Sequence, residues 1–401
     1  MKNVFNLNKS ISLATNKTRD VIILGASGSV GRQALELCTS NPDKFKIKAL
    51  ISGRNADETI KQALAVNPKY IVMSSKEAAE KVRQSVNCKV LLGDSARDEV
   101  ISIGYDVAVT AIPGINGLEA TFKAIAHSKV VAFANKETII YSGEKLIEEA
   151  EKYKTAIVPI DSEHNAVFQI LDGMDQTRVE KIILTASGGP LLHRVDMNKV
   201  TVEDVLKHPT WNMGKKITVD CATLMNKALE VIEASYLFGN SLDEIEVIVH
   251  PESIIHGMVT LKDGSLLIHG APADMKLPIA YAINWPEVST FNKKLDLSEV
   301  GILTFLKPDY EKFPLFNLAI SAAKIGMESQ IVMNYANELA VNLFLERKMP
   351  FKSIYSLVKF ALDNIPKVKI ESDSFFQDVR DICQTVKNII AKRVTLNKNN
   401  S

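Results

Sequence analysis

At 401 residues the chain is too long for one compact core, and a prior of roughly 100–200 residues per domain predicts two or three domains. Hydrophobic residues at 46 % and charged residues at 24 % are the proportions of a globular enzyme, and 48 Lys plus Arg against 47 Asp plus Glu leave a net charge of +1. That balance excludes a strong basic field, and with it nucleic acid or a membrane surface as the main partner, while a small anionic ligand stays admissible because local charge placement decides it.

Residues 1–19 carry Lys2, Lys9, Lys17 and Arg19 with no acid, and read as a poorly ordered basic tail without the pattern of an import or secretory leader. From Asp20 the pattern changes. VIILGASGSVGRQALELC is a buried strand, a glycine turn and a helix; KIKALIS, YIVMS, YDVAVTAI and KVVAFA are further apolar strands with helical stretches between them. Strands alternating with helices predict a parallel, Rossmann-like sheet covered on both faces, over residues 20–160. Two β-rich pieces, AIVPID and VEKIILTASGG, then lead to a helix from about Ala222 to Phe238. EIEVIVHPESIIHGMVTLKDGSLLIHG alternates apolar and polar positions around Asp263-Gly264, a hairpin signature, so an α+β domain is expected over residues 161–290. Residues 291–314 lack periodicity and read as a linker; residues 315–401 are helical in pattern and predict a C-terminal bundle. The cysteines (Cys38, Cys88, Cys221, Cys383) are scattered without a CxxC pair, which points to a reducing, cytoplasmic compartment and away from a zinc site. No apolar run reaches the ~18 residues of a spanning helix.

Gly25, Gly28 and Gly31 form GxxGxxG between a strand and a helix, where backbone N–H groups and the helix N-terminus accept a pyrophosphate. An NAD site places an acid at the end of the second strand; here Ser52-Gly53-Arg54-Asn55 stands there, and a guanidinium suits a 2′-phosphate, so NADP is favoured. Asp161 and Glu163 follow the strand AIVPI, two residues apart on an extended backbone, so both carboxylates are expected to face one point as a hard-oxygen site for Mg²⁺ or Mn²⁺. In the otherwise apolar helix ATLMNKALEVIEASYLF, Asn226, Lys227 and Glu230 make a polar stripe, and buried charges must be paired or liganded. Glu230 is a candidate third ligand; an internal Lys227–Glu230 ion pair is the alternative. Thr185–Pro190 is a turn that suits phosphate. His208–Gly214, with Trp211 and Met213, reads as a lid or as an anchor packed on the core. Asn135-Lys136-Glu137 sets charge at a carboxyl end of the sheet.

GASGSVG, ANKE, IDSEHNA, TASGGP, HPTWNMGKKITVD, ATLMNKALEVIEA and HPESIIHGMV occur in the order seen in 1-deoxy-D-xylulose 5-phosphate reductoisomerases, and the chain resembles that family over about residues 20 to 390. The resemblance implies a homodimer of V-shaped subunits and NADPH contacts from Ser27, Gly28, Ser29, Val30, Gly53, Arg54, Asn55, Asn135, Glu137 and Gly214. It implies Mg²⁺ or Mn²⁺ on Asp161, Glu163 and Glu230. Substrate contacts follow from Lys136, Ser162, Glu163, Ser187, His208, Asn226, Lys227 and Glu230, with phosphate mainly on Ser187, His208, Asn226 and Lys227; the chemistry rests on Lys136, Asp161, Glu163, His208 and Glu230. The implied reaction is a rearrangement of 1-deoxy-D-xylulose 5-phosphate, by retro-aldol cleavage and recombination, and reduction to 2-C-methyl-D-erythritol 4-phosphate in the non-mevalonate route to isoprenoid precursors. Two positions depart from the family: Cys221 replaces a serine at a substrate-binding position, and a thiol is the weaker donor; Pro113 replaces an aliphatic residue.

Two other readings stay open on the residues. Cys221 as a nucleophile would make a semialdehyde or aldehyde dehydrogenase, indifferent to chelator. A non-catalytic NADP-binding sensor would bind cofactor without turnover.

Overall fold

The structure is a computed structural model that describes residues 3–8, 17–211, 213–287, 294–366 and 368–399. Seven short apolar runs become β1 (Arg19–Leu24), β2 (Phe45–Ser52), β3 (Tyr70–Met73), β4 (Lys89–Leu92), β5 (Tyr105–Thr110), β6 (Ser128–Phe133) and β7 (Ala156–Pro159). All pair in parallel in the order β4-β3-β2-β1-β5-β6-β7. The order reverses direction at β1, so the crevice between the carboxyl ends of β1 and its neighbours is where a ligand fits such a sheet. AIVPI thus completes the first sheet.

A second, four-stranded sheet follows: β8 (Val179–Ala186), β9 (Ile245–Val249), β10 (Ile255–Leu261) and β11 (Leu266–Gly270), ordered β11-β10-β8-β9. β8 and β9 are parallel; β10 is antiparallel to both β8 and β11. Asp263-Gly264 makes the hairpin turn, with Gly264 at φ +87 and the Asp263 carboxylate accepting from Ser265 N at 2.9 Å. Helices Leu315–Ile325, Met327–Leu345, Ser353–Asn364 and Phe375–Asn399 form the helical end of the chain.

Three expectations need correction. Within the expected tail, Val4–Asn8 is a helical turn: Val4 and Phe5 are buried, and Phe5 stacks on Phe168 and Phe238 at 5.1 and 5.7 Å. Arg19 begins β1 and donates to the carbonyls of Ile283, Asn284 and Trp285. Burial of the Val4-Phe5 pair outweighs the flanking lysines; residues 1–2 and 9–16 of that tail lie outside the described residues. The helix expected from about Ala222 starts at Met225, after Leu224 at φ +59, and a separate helix that was not expected, Lys215–Ala222, precedes it. The described part of the expected linker, beyond residues 291–293, is fastened to the second sheet. Leu306 and Val249 exchange backbone hydrogen bonds, and Phe305 stacks on His250 at 4.9 Å.

Candidate active site

The glycine turn between β1 and helix Ser29–Thr39 is shaped by close approach. A Cβ on Gly25, at φ +86, would meet the Ala111 carbonyl at 2.5 Å, and one on Gly31 would meet the Gly25 carbonyl at 2.3 Å. Gly28 caps the helix without a side-chain acceptor, so the first-turn N–H groups face the groove. Gly25, Ser27, Gly28, Gly53 and Arg54 line that groove together, while Ser29, Val30 and Gly214 line the adjoining cleft with the carboxylates. Asn55, Asn135 and Glu137 line neither. Asn55 caps the next helix, accepting from Glu58 N at 3.1 Å. The buried Asn135 amide donates to Gly114 O and the Thr138 hydroxyl. Glu137 is held by Lys216 at 2.9 Å, whose charge keeps that buried carboxyl below its ordinary range against the effect of burial.

Asp161, Glu163 and Glu230 converge: each offers an oxygen, and the three lie within 4.8 Å of one another. The route differs from the strand alternation expected. Asp161 is the N-cap of helix Ser162–Leu171, its carboxylate accepting from Glu163 N at 3.3 Å, and Glu163 sits in the first turn. Cap geometry, which folds a capping side chain back over the first turn, brings the two carboxylates together. Glu230 comes from the middle of helix Met225–Phe238, which is buried except at Ser235 and Tyr236. Two ammonium groups answer the three carboxylates. Lys136 Nζ is 2.8 Å from Asp161, 3.1 Å from Glu230 and 2.9 Å from the Asn226 amide oxygen. Lys227 donates to Glu163 at 2.8 Å and to Glu230. The internal Lys227–Glu230 pair therefore exists, as part of a five-membered cluster.

Burial opposes every charge here, and the partners decide the outcome. Asp161 lies well below the usual carboxylate range because Lys136, His164 and Lys227 outweigh its desolvation. Lys136 and Lys227 are held above the ordinary lysine range by the carboxylates despite burial. Glu230 is pushed up, by burial first and then by repulsion from Asp161 and Glu163. One surplus negative charge on converging oxygens fits a divalent hard cation, which would relieve that repulsion. Behind the cluster, Glu233 is pushed up to about 7 by burial, with His164 working against it.

The opposite wall suits an anion. Gly188 and Gly189 have φ +81 and +68, and a Cβ on Gly189 would meet the Cys221 carbonyl at 2.6 Å. Ser187, Cys221, Asn226 and Lys227 line the cleft with Ser162 and the carboxylates; Thr185 instead turns its hydroxyl to the carbonyls of Ile255 and His256. His208 Nδ1 accepts from the backbone N–H groups of Trp211 (2.9 Å) and Thr210 (3.2 Å), which leaves the proton of the neutral ring on Nε2, donated to Ser187 Oγ at 3.0 Å. Burial pushes the His208 pKa down, favouring that neutral form. Ser187 Oγ also accepts from Gly189 N at 3.2 Å, so its own proton is free for a ligand oxygen. Trp211 and Met213 line the cleft, and Trp211 sits edge-on to His256 at 6.1 Å; Asn212 of this loop lies outside the described residues. Burial pushes the Cys221 thiol up, which keeps it protonated and argues against a nucleophile.

Sequence reasoning passed over Gln33, Met275 and Ile217, which line the cleft, and, behind it, Lys216, which pairs with Glu137 and Asp220, and Glu233, which faces His164. Glu233 carried a signal, since it lies on the same apolar helix, three residues from Glu230. Nothing local marked the others.

Comparisons with known proteins give one answer. The family model described as 1-deoxy-D-xylulose 5-phosphate reductoisomerase matches residues 21–143. Models of that family's C-terminal domains match residues 157–238 and 271–389. The reductoisomerase of Clostridium tetani (strain Massachusetts / E88) is 45% identical over 350 residues, 85% of this chain and 91% of the relative. That of Thermoanaerobacter pseudethanolicus (strain ATCC 33223 / 39E) is 40% identical over 381 residues, 94% and 99% respectively. Among solved structures, the Zymomonas mobilis reductoisomerase in complex with NADPH superposes with a TM-score of 0.87 at 36% identity, over 94% of this chain and 99% of that one. A DOX-P reductoisomerase in complex with NADPH, fosmidomycin and magnesium superposes with a TM-score of 0.89 at 34% identity, over 95% and 99%.

Proposed function

The chain belongs to the 1-deoxy-D-xylulose 5-phosphate reductoisomerase family, and from that premise we propose how its own residues carry the activity. The reaction is the NADPH- and metal-dependent rearrangement and reduction of 1-deoxy-D-xylulose 5-phosphate to 2-C-methyl-D-erythritol 4-phosphate. The observation that carries the reading is the meeting of Asp161, Glu163 and Glu230 in a cleft that also contains Ser29, Val30 and Gly214 from the glycine turn and the loop. When bound, the metal supplies Lewis-acid polarisation of the substrate's ketone and hydroxyl oxygens, and NADPH supplies the hydride.

Asp161, Glu163 and Glu230 hold the cation. Lys136 fixes Asp161 and Glu230, holds Asp161 ionised, and opposes the burial and repulsion that push Glu230 up. Ser187, with its hydroxyl proton freed by His208 and Gly189, binds phosphate together with Asn226 and Lys227. Cys221 offers a weaker donor on the same wall, and Ser162 meets the substrate's middle. Ser27, Gly28, Gly53 and Arg54 receive the adenosine and pyrophosphate, and Ser29, Val30 and Gly214 face the nicotinamide end. Asn55, Asn135 and Glu137 act on the cofactor by shaping the walls. Trp211 and Met213 cover the cleft and exclude water.

Residues 20–160 serve the cofactor, 161–290 catalysis and dimerisation, and 315–401 form the helical domain beyond the 291–314 connection. A homodimer is supported by β11, an edge strand with Leu266 48 % and Ile268 50 % exposed, which offers unpaired backbone to a second copy. No described helix is long and apolar enough to cross a membrane. The cytoplasm is the compartment assigned here, on four free, scattered cysteines.

The test is NADPH oxidation with 1-deoxy-D-xylulose 5-phosphate in Mg²⁺, in Mn²⁺ and in excess chelator. Consumption that stops on chelation is expected. Consumption indifferent to chelator moves the weight to Cys221, and NADPH binding without turnover moves it to a sensor.

A further inference from the structure

One wall of the cofactor groove comes from the far end of the chain. Beside Gly28, Gly53 and Arg54 the lining includes Phe376 and Arg380, both on helix Phe375–Asn399. That helix is fastened to the cofactor domain by aromatic and ionic contacts. Phe122 meets Phe375 at 6.0 Å and Phe376 edge-on at 5.2 Å, Lys145 Nζ lies 4.6 Å from the Phe375 ring centroid, and Arg380 pairs with Glu119.

The groove can be divided by its ends. Gly25 and Gly28 mark the pyrophosphate, and Arg54, Ser74 and Asp94 lie beyond it on the adenosine side. The residues facing the nicotinamide end line the other cleft. Phe376 and Arg380 share this groove from the β5 side, where Ala111, Pro113 and Glu119 also line it, and so face the adenosine half across from Gly53 and Arg54. Its cations are not equivalent. Arg97 is committed to Asp94 at 2.7 Å and Asp98 at 2.8 Å, and Arg54 is the residue proposed above for the cofactor's 2′-phosphate side. Arg380 pairs with Glu119, donates to Gln377 at 3.2 Å and keeps 49 % of its side chain exposed, which lets a planar guanidinium stack on a flat ring. Phe376 is half-buried, and its ring is held by Phe122 and Phe375.

We propose that Phe376 and Arg380 bind the adenine of NADPH, the guanidinium stacked on the ring and Phe376 packed beside it, so that the C-terminal helical domain is part of the cofactor site. This rests on the NADPH assignment above. The test titrates full-length protein with NADPH and with adenosine 2′,5′-bisphosphate, a probe without the nicotinamide half, and follows each variant's melting temperature.

Arg380→Ala and Phe376→Leu should weaken both probes by about 5–20-fold, the range of one stacking or cation–π contact. Lys145→Met, which removes the contacts to Ser372 and Phe375 that also fasten this helix and lies outside the groove lining, should bind both within about twofold of the parent on the same scale. Unchanged affinity in Arg380→Ala and Phe376→Leu overturns the proposal. So does an equal loss in Lys145→Met and Arg380→Ala, because the contacts would then merely fasten the helix. A parent protein that binds neither probe overturns the dinucleotide assignment itself.

Discussion

Glu230→Gln should separate metal binding from folding. Glu230 is buried between Lys136, 3.1 Å away, and Lys227, and it lies within 4.8 Å of Asp161 and Glu163. At an effective dielectric of about 20, each ammonium contact contributes about 5 kcal/mol of attraction and each carboxylate about 3 kcal/mol of repulsion. The net attraction of about 4 kcal/mol is offset by the several kcal/mol that burying a carboxylate costs. Glutamine keeps the shape and leaves Asp161 and Glu163 facing Lys136 and Lys227, two charges against two. Metal-free stability should therefore change by less than about 1 kcal/mol, because no buried charge loses its partner. Mn²⁺ affinity, losing one of three carboxylate ligands, should fall at least about 100-fold, the upper range for losing even an outer-shell partner. Urea unfolding in excess chelator reads the first quantity and calorimetric titration with Mn²⁺ the second. A metal-free loss above about 3 kcal/mol would mean the carboxylate chiefly holds the two lysines. An unchanged Mn²⁺ affinity would remove Glu230 from the metal site.

Arg54→Ala should weaken NADPH binding by about 10–100-fold and leave NADH nearly untouched, the value of a charge-assisted contact to the 2′-phosphate. Parallel fluorescence titrations check it, and equal losses for both cofactors would count against that role. Cys221→Ser should lower the KM for the sugar phosphate by about 3–10-fold with kcat little changed, because a hydroxyl is the better donor; abolished turnover would instead revive the nucleophile reading. The His269 pKa is pushed down to about 4, by burial first and then by His256, from 6.5. The unfolded chain therefore takes a proton that the folded one refuses, and stability is lost as pH falls from about 6.5 to about 4, by at most about 3 kcal/mol. His269→Gln should remove that part of the slope in urea unfolding at pH 7 and 4.5, and an identical slope in both proteins would contradict it.

Most of the parallel sheet was legible because its inner strands are short apolar runs between helical stretches, and burial on both faces demands that composition; the edge strand β4 was passed over because KVLL is short and only Val90 of it is buried. The stripe Asn226, Lys227, Glu230 was legible for the opposite reason: polar groups on a helix with no exposed face need partners. The convergence of Asp161 and Glu163 was read correctly from the wrong geometry, since strand alternation and an N-cap put two carboxylates together equally well and local sequence does not distinguish them. The docked turn at Val4–Asn8 was hidden by flanking lysines, because net charge over a segment says nothing of two apolar residues that find an aromatic pocket.

Lys136 and Glu137 show where local reading stops. They are adjacent in ANKE, and as a dipeptide they give only charge at the end of a strand. In a helix, consecutive side chains point about 100° apart, so adjacency forces divergence. Lys136 turns to Asn226 and Glu230, 90 and 94 residues away, and Glu137 turns to Lys216, 79 residues away. The partner of Glu137 lies in helix Lys215–Ala222, which directly follows the loop carrying Trp211 and Met213, and Lys216 also binds Asp220, itself held by Asn337 of the helical domain at 2.8 Å. One helical turn after β6 thus reaches the metal cluster with one residue and the base of the covering loop with the next. Such contacts are set by packing between distant segments. They become visible only once the strand order has placed the carboxyl end of β6 beside the buried helix.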